Sequence, residues 1–194
     1  MSFLIDHTPG FIKRTYFAPM MLAKLRERSY RKKYYSIDPQ LNGDNVKQAV
    51  IFMIDGRFIH GGLSDRIWGA ISSYQVCKKR GLDFKINWTY PFRLSTFLEP
   101  ATIDWRIDPK EVVYDPRFAT PLFVNNNHNV NNQWRLLERI AHTGKKQVHV
   151  YSPSHIDREN FSKNFAELFK PSPLLAENIN KQKEAIGEDY ISIT

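Results

Sequence analysis

Val50-Ile51-Phe52-Met53-Ile54, then Asp55-Gly56-Arg57-Phe58-Ile59-His60-Gly61-Gly62-Leu63-Ser64-Asp65-Arg66, then a helical pattern, then Phe84-Lys85-Ile86-Asn87-Trp88: these residues decide the fold. The first run is apolar throughout, which suits a strand buried on both faces. After the glycines, Ile67, Ala70, Ile71, Tyr74 and Cys77 recur at i, i+3, i+4, i+7 and i+10, one face of a helix. Ser64 or Asp65 is the expected N-cap. Lys78-Lys79-Arg80 suit the negative end of that helix, and Gly81 suits the left-handed residue that follows it. Strand, glycine-bearing loop, helix and strand is the unit with which α/β proteins hold phosphate-bearing ligands. Gly61 and Gly62 have two readings: they present bare backbone N–H groups to a nucleotide-linked ligand, or they only permit a tight turn.

Working outward, Gln147 to Tyr151 reads as a strand and Leu122 to Val124 as a short one. Gln133 to His142 reads as a helix, and a second helix capped by Asp157 carries Phe161, Phe165, Leu168 and Phe169. Ser172-Pro173 opens a further helix to Ile186, and Tyr190 to Ile193 begins another strand. Strands alternate with helices, so the fold class is α/β, a Rossmann-like, doubly wound, mostly parallel sheet. The globular part is expected to span 46–194, with 1–45 a basic arm and linker.

The chain has 194 residues, 42% hydrophobic and 25% charged, which places it among ordinary globular domains. No run of about 18 apolar residues occurs, so no membrane-spanning helix is expected. Its net charge of +8 is uneven: residues 1–35 carry eight basic residues against Asp6 and Glu27, whereas the other 159 carry 20 against 18. Together with Phe11, Tyr16, Phe17, Met20, Met21, Leu22 and Leu25, this makes residues 11–35 a candidate for peripheral contact with an anionic membrane or a partner. A merely solvated basic helix is the plain alternative. No aromatic-interleaved basic patch marks the remainder, so specific nucleic-acid binding is not expected. One cysteine, Cys77, provides no disulfide framework, and the absence of a signal-type stretch suits a cytoplasmic setting, with peripheral attachment at the inner face of the membrane.

No GxxxxGK[ST], GxGxxG, GxSxG or HExxH pattern occurs, and Asp104 and Asp108 lie four apart, not at the Asp-x-Asp spacing. The six histidines show no ligand spacing, so no metal is expected. The residues left to carry chemistry cluster at the glycine loop: His60, Gly61, Gly62, Leu63, Asp65 and Arg66. Arg66 is placed to meet a phosphate at the helix N-terminus, or else to pair with Asp65 or Asp55. Arg93 follows the second strand, and carboxyl ends of parallel strands are where ligands bind in such sheets. A plain surface arginine is its alternative. No catalytic residue is singled out.

Gly61-Gly62-Leu63-Ser64-Asp65-Arg66, with Gly69, Ser72, Tyr74, Cys77-Lys78, Gly81, Phe84-Lys85-Ile86-Asn87 and Pro91-Phe92, resembles the N-terminal region of a group of bacterial glycosyltransferases. These are related to the nodulation-type and protein-O-fucosyltransferase-like enzymes and are associated with surface polysaccharide synthesis. Phe97-Leu98-Glu99-Pro100 with Asp104-Trp105, and Phe165 to Pro173, continue the resemblance, which covers 46–194. It implies a type B glycosyltransferase with two Rossmann-like halves that moves fucose from GDP-fucose to a glycan acceptor without a metal. Family members follow a strand like Ile191-Ser192-Ile193 with an arginine-bearing loop of the second domain, and that loop makes the main donor contacts. The sequence stops before it. It therefore resembles the N-terminal half alone, a truncated or split form expected to be inactive by itself.

Overall fold

A computed structural model of the chain describes residues 17–58, 61–124, 138–139, 144–153, 155 and 158–186. The order of elements is α1 (Phe17–Tyr34), β1 (Ala49–Ile54), α2 (Leu63–Arg80), β2 (Phe84–Trp88), β3 (Leu98–Pro100), β4 (Ala119–Phe123), β5 (Gln147–Tyr151), α3 (Phe161–Leu168), β6 (Phe169–Pro171) and α4 (Pro173–Ile186). Four strands form an all-parallel sheet in the order β2-β1-β5-β4, flanked by helices, as a Rossmann-like doubly wound fold requires. Phe52 stands opposite Ile86 on one side and Val150 on the other.

All six residues of β1 are buried, as its apolar run demands. Side chains alternate across a strand. Val50, Phe52 and Ile54 join Ile86, Val148, Val150 and the α2 residues Ala70, Ile71 and Tyr74 in one core. Ala49, Ile51 and Met53 join Ala119, Phe123 and Tyr151 in a second core on the opposite face.

The N-cap of α2 lies two residues before Ser64, the nearer of the expected caps. Gly62 is its N-cap, and the Gly62 carbonyl already accepts the Arg66 N–H at 3.1 Å. The helix ends as read, with Gly81 left-handed at φ 64°. Its burial is wider than one stripe, because Gly69, Ser72, Ser73 and Val76 are also covered.

The second core corrects the expected boundary at residue 46. It is closed by α1, whose Ala23 and Tyr30 are buried, and by Tyr35 just beyond it. Glu27 accepts the Phe123 backbone N–H at 3.1 Å, and Arg31 reaches Thr120 Oγ1 at 2.6 Å. The helix is thus tied to edge strand β4, whose backbone donor it satisfies. Burial raises the Glu27 carboxyl above its ordinary range, and Arg139, 2.9 Å away, opposes that shift.

Smaller departures have local causes. β4 is longer than expected because it tolerates Pro121, which donates no ladder bond, at the sheet edge. Leu98–Pro100 and Phe169–Pro171 pair antiparallel, so the helix over the phenylalanines ends at Leu168. α4 starts as read, with the Leu175 N–H on Ser172 Oγ at 3.2 Å. The expected helix over 133–142 (save residues 138–139), the Asp157 cap and the strand from Tyr190 lie outside the described residues.

Candidate functional site

From β1 the chain crosses to β2 on one side, and β5 lies on the other, so the winding reverses between β1 and β5. In open parallel sheets that reversal leaves a crevice at the carboxyl ends of the two strands. Here that edge is formed by Asp55-Gly56-Arg57 after β1, Ser152-Pro153 after β5, and the amino end of α2. The closeness of α2 depends on Gly69. A Cβ built there would stand 1.8 Å from the Ser152 carbonyl oxygen. No other residue type fits without parting helix from sheet.

The two loop glycines differ. Among the described residues, a Cβ at Gly62 would meet nothing within 4 Å, and no side chain caps the helix end. The N-cap thus offers no side-chain acceptor to the first-turn N–H groups, the arrangement that accepts an anion. At Gly61 a Cβ would collide with Asp65 Oδ2 at 2.5 Å, because the Asp65 carboxylate folds back over that residue. Asp65 thereby adds negative charge next to the helix end. It suits a hydroxyl ligand and repels a phosphate. Its other oxygen lies 3.4 Å from His155 Nε2, and the His155 ring stacks on Trp68 at 4.9 Å.

Arg66 takes neither of the ion pairs considered for it. Its Nε donates to the Gly61 carbonyl at 2.8 Å and an Nη to the Tyr90 carbonyl at 3.3 Å, while its guanidinium lies over the Trp88 ring. Two of its five N–H donors thus brace the loop against the end of β2, leaving the others for a ligand. Leu63 is exposed. His60 lies outside the described residues. Arg93 is exposed and stands apart from the loop, in a cleft of about 200 Å³ beside the carboxyl half of β2 with Trp88, Thr89, Ser95 and Arg106. The structure links loop and cleft through Arg66, Tyr90 and Trp88. The Trp88 Nε1–H is buried and has no hydrogen-bond partner among the described residues.

Sequence reasoning missed the polar group on the other side of the crevice. Asp55, its side chain 6% exposed, accepts the Tyr151 hydroxyl at 3.1 Å, the Tyr114 hydroxyl at 3.3 Å and the Arg57 N–H at 3.1 Å. Because Tyr151 gives its proton to Asp55, Tyr30 must donate to Tyr151, at 2.6 Å. The Arg57 guanidinium lies 3.9 Å from the Tyr114 ring centre. Burial pushes the Tyr30, Tyr114 and Tyr151 phenols up, so all three remain protonated donors.

Behind them, burial and the nearby Arg57 charge lower His149 to about 3. A neutral His149 must then donate from Nε2 to Gln147 Oε1 at 3.3 Å, because that oxygen only accepts. Its Nδ1 accepts the Tyr35 hydroxyl at 2.6 Å. Tyr30 and Tyr35 reach this group only because α1 packs on the sheet. The one local signal was an acid directly after an apolar strand.

A larger hollow of about 530 Å³ lies at the amino end of the strands, among Ala49, Val50, Leu82, Asp83, Lys145 and Lys146. Both lysine ammonium groups already bind backbone carbonyls, of Pro116 and Arg117 and of Gly43 respectively. This is the end away from helix N-termini, so the smaller carboxyl-edge site is preferred on chemistry. Among the described residues, no group of three or more His, Cys, Asp or Glu is placed to hold a metal ion, and no helix is long and apolar enough to cross a membrane.

Fold and site together define a doubly wound α/β protein with a buried polar group at its carboxyl edge. No family model, curated protein or solved structure matches the chain.

Proposed function

We propose that the carboxyl-edge crevice binds a nucleotide sugar, and that the chain is one domain of a metal-independent, fucosyltransferase-like glycosyltransferase using GDP-fucose and a glycan acceptor. The observation that carries this reading is the uncapped amino end of α2 at Gly62, with Arg66 beside it at the carboxyl edge of a parallel sheet. In this reading the diphosphate approaches Gly62 and Arg66, not Gly61, which Asp65 covers. Asp65 then serves a sugar hydroxyl. Arg93 and Trp88 line the adjoining cleft, where a second polar group of the acceptor or donor is received.

Amide chemical shifts recorded during titration with GDP-fucose, GDP and free fucose test the binding. The expected result is movement of the Gly62, Leu63 and Ser64 amides and of the Trp88 indole with both nucleotides, reduced in Arg66→Gln. No movement at these groups at about millimolar ligand, the weak end of specific binding, overturns it.

A further inference from the structure

The burial of α1 sorts its charges. The helix contains one acid, Glu27, and that acid is turned inward onto the Phe123 N–H and Arg139. The inward face is Ala23, Glu27, Tyr30 and Tyr34. At 100° per residue, Met21, Leu25, Arg28 and Lys32 stand on the directly opposite face, and all four are exposed. Lys24 and Lys33 flank them, also exposed. None of the ion pairs among the described residues uses Lys24, Arg28, Lys32 or Lys33. The outer face is therefore cationic with no carboxylate from its own helix, and it carries two large apolar side chains, Met21 at 41% and Leu25 at 44% exposure.

From this face we infer a docking surface for an anionic lipid bilayer, with the helix axis lying along the membrane plane. Lys24, Arg28, Lys32 and Lys33 meet the negative headgroups, and Met21 and Leu25 enter the headgroup layer. The two apolar side chains favour a bilayer over a nucleic acid, whose backbone gives them nothing to bury against. The sheet-facing side stays committed to the core, so docking requires no unfolding of α1. The surface is independent of the carboxyl-edge crevice.

Flotation with phosphatidylcholine vesicles, with and without a minor fraction of phosphatidylglycerol, tests the inference on the whole chain. Each basic residue near such a surface multiplies partitioning about fivefold, so losing three costs on the order of a hundredfold and K24E/R28E/K32E, which also adds repulsion, is expected to weaken binding by at least that much. M21S/L25S is expected to weaken it less, and added salt to abolish it. All five positions are exposed, so an unchanged urea midpoint shows that the variants fold. Flotation that needs no phosphatidylglycerol, that survives the triple reversal, or that never occurs overturns the inference. So does binding to an RNA or DNA duplex, lost in the triple variant, when no vesicle is bound.

Discussion

Gly69→Ala sets two physical terms against each other inside one helix. Replacing glycine by alanine in a helix interior is worth about 1 kcal/mol in favour of the folded state. At position 69 the new Cβ would lie 1.8 Å from the Ser152 carbonyl oxygen and 3.0 Å from Phe52 Cζ. Ordinary contact begins at 3.4 Å, so α2 and the end of β5 must part by about 1.6 Å, an overpacking strain. A gap of even 1 Å forfeits up to about half of the dispersion contact of the side chains on either side, here Ala70, Ile71 and Tyr74 against Phe52 and Val150. Overpacking of this kind costs about 1–3 kcal/mol and more where backbone blocks the way. The net is a loss of about 2 kcal/mol, or about 4–8 °C in Tm for a chain of this size. Urea unfolding followed by far-UV circular dichroism measures it. Gly62→Ala is the control, since its Cβ meets nothing within 4 Å among the described residues, and it costs only the poorer cap, under about 1 kcal/mol. A Gly69→Ala protein as stable as the parent or more so would refute the close packing of α2 on β5.

Two further outcomes concern the buried polar group. His149 is held neutral in the folded protein, with its titration lowered to about 3, whereas an unfolded histidine takes a proton near about 6.5. Between these values the unfolded state binds more protons, so stability falls as pH falls below about 6.5, by roughly 1.4 kcal/mol per unit from this residue. His149→Gln is expected to flatten that slope between about pH 6 and 4, and an unchanged slope would exclude His149 as its source. Asp55→Ala strands the Tyr114 and Tyr151 hydroxyls and the Arg57 charge, at a cost of about 2–4 kcal/mol, while Asp55→Asn costs less because one acceptor oxygen remains. Thermal unfolding of both variants checks the order, which a loss under about 0.5 kcal/mol for the alanine variant would contradict.

The α/β class, the extent of α2 and the burial of β1 were legible in the residues because each rests on a local period: an unbroken apolar run, a stripe at 3.6 spacing, a terminal glycine. The Gly61-Gly62 loop was legible as a loop, but the division of labour within it was not. Asp65 covering Gly61 and Arg66 bracing Tyr90 depend on how far α2 approaches the sheet. Arg93 could be placed after a strand, yet only the folding of residues 94–109 against β2 places it in a cleft.

By itself, then, the sequence determined the strand–loop–helix–strand unit, the alternation that makes the sheet parallel, and the unequal charge of its first 35 residues. Only the tertiary structure decided that α1 is a wall of the core and not a free arm. The same packing assembles Asp55, Tyr30, Tyr114 and Tyr151 into one hydrogen-bonded group, though Tyr30 and Tyr151 lie 121 positions apart. The physical reason is range. Periodicity and capping act over a few residues. The pairing of Glu27 with a β4 amide, or of a helix tyrosine with a β5 tyrosine, is set by which faces the sheet leaves to be covered.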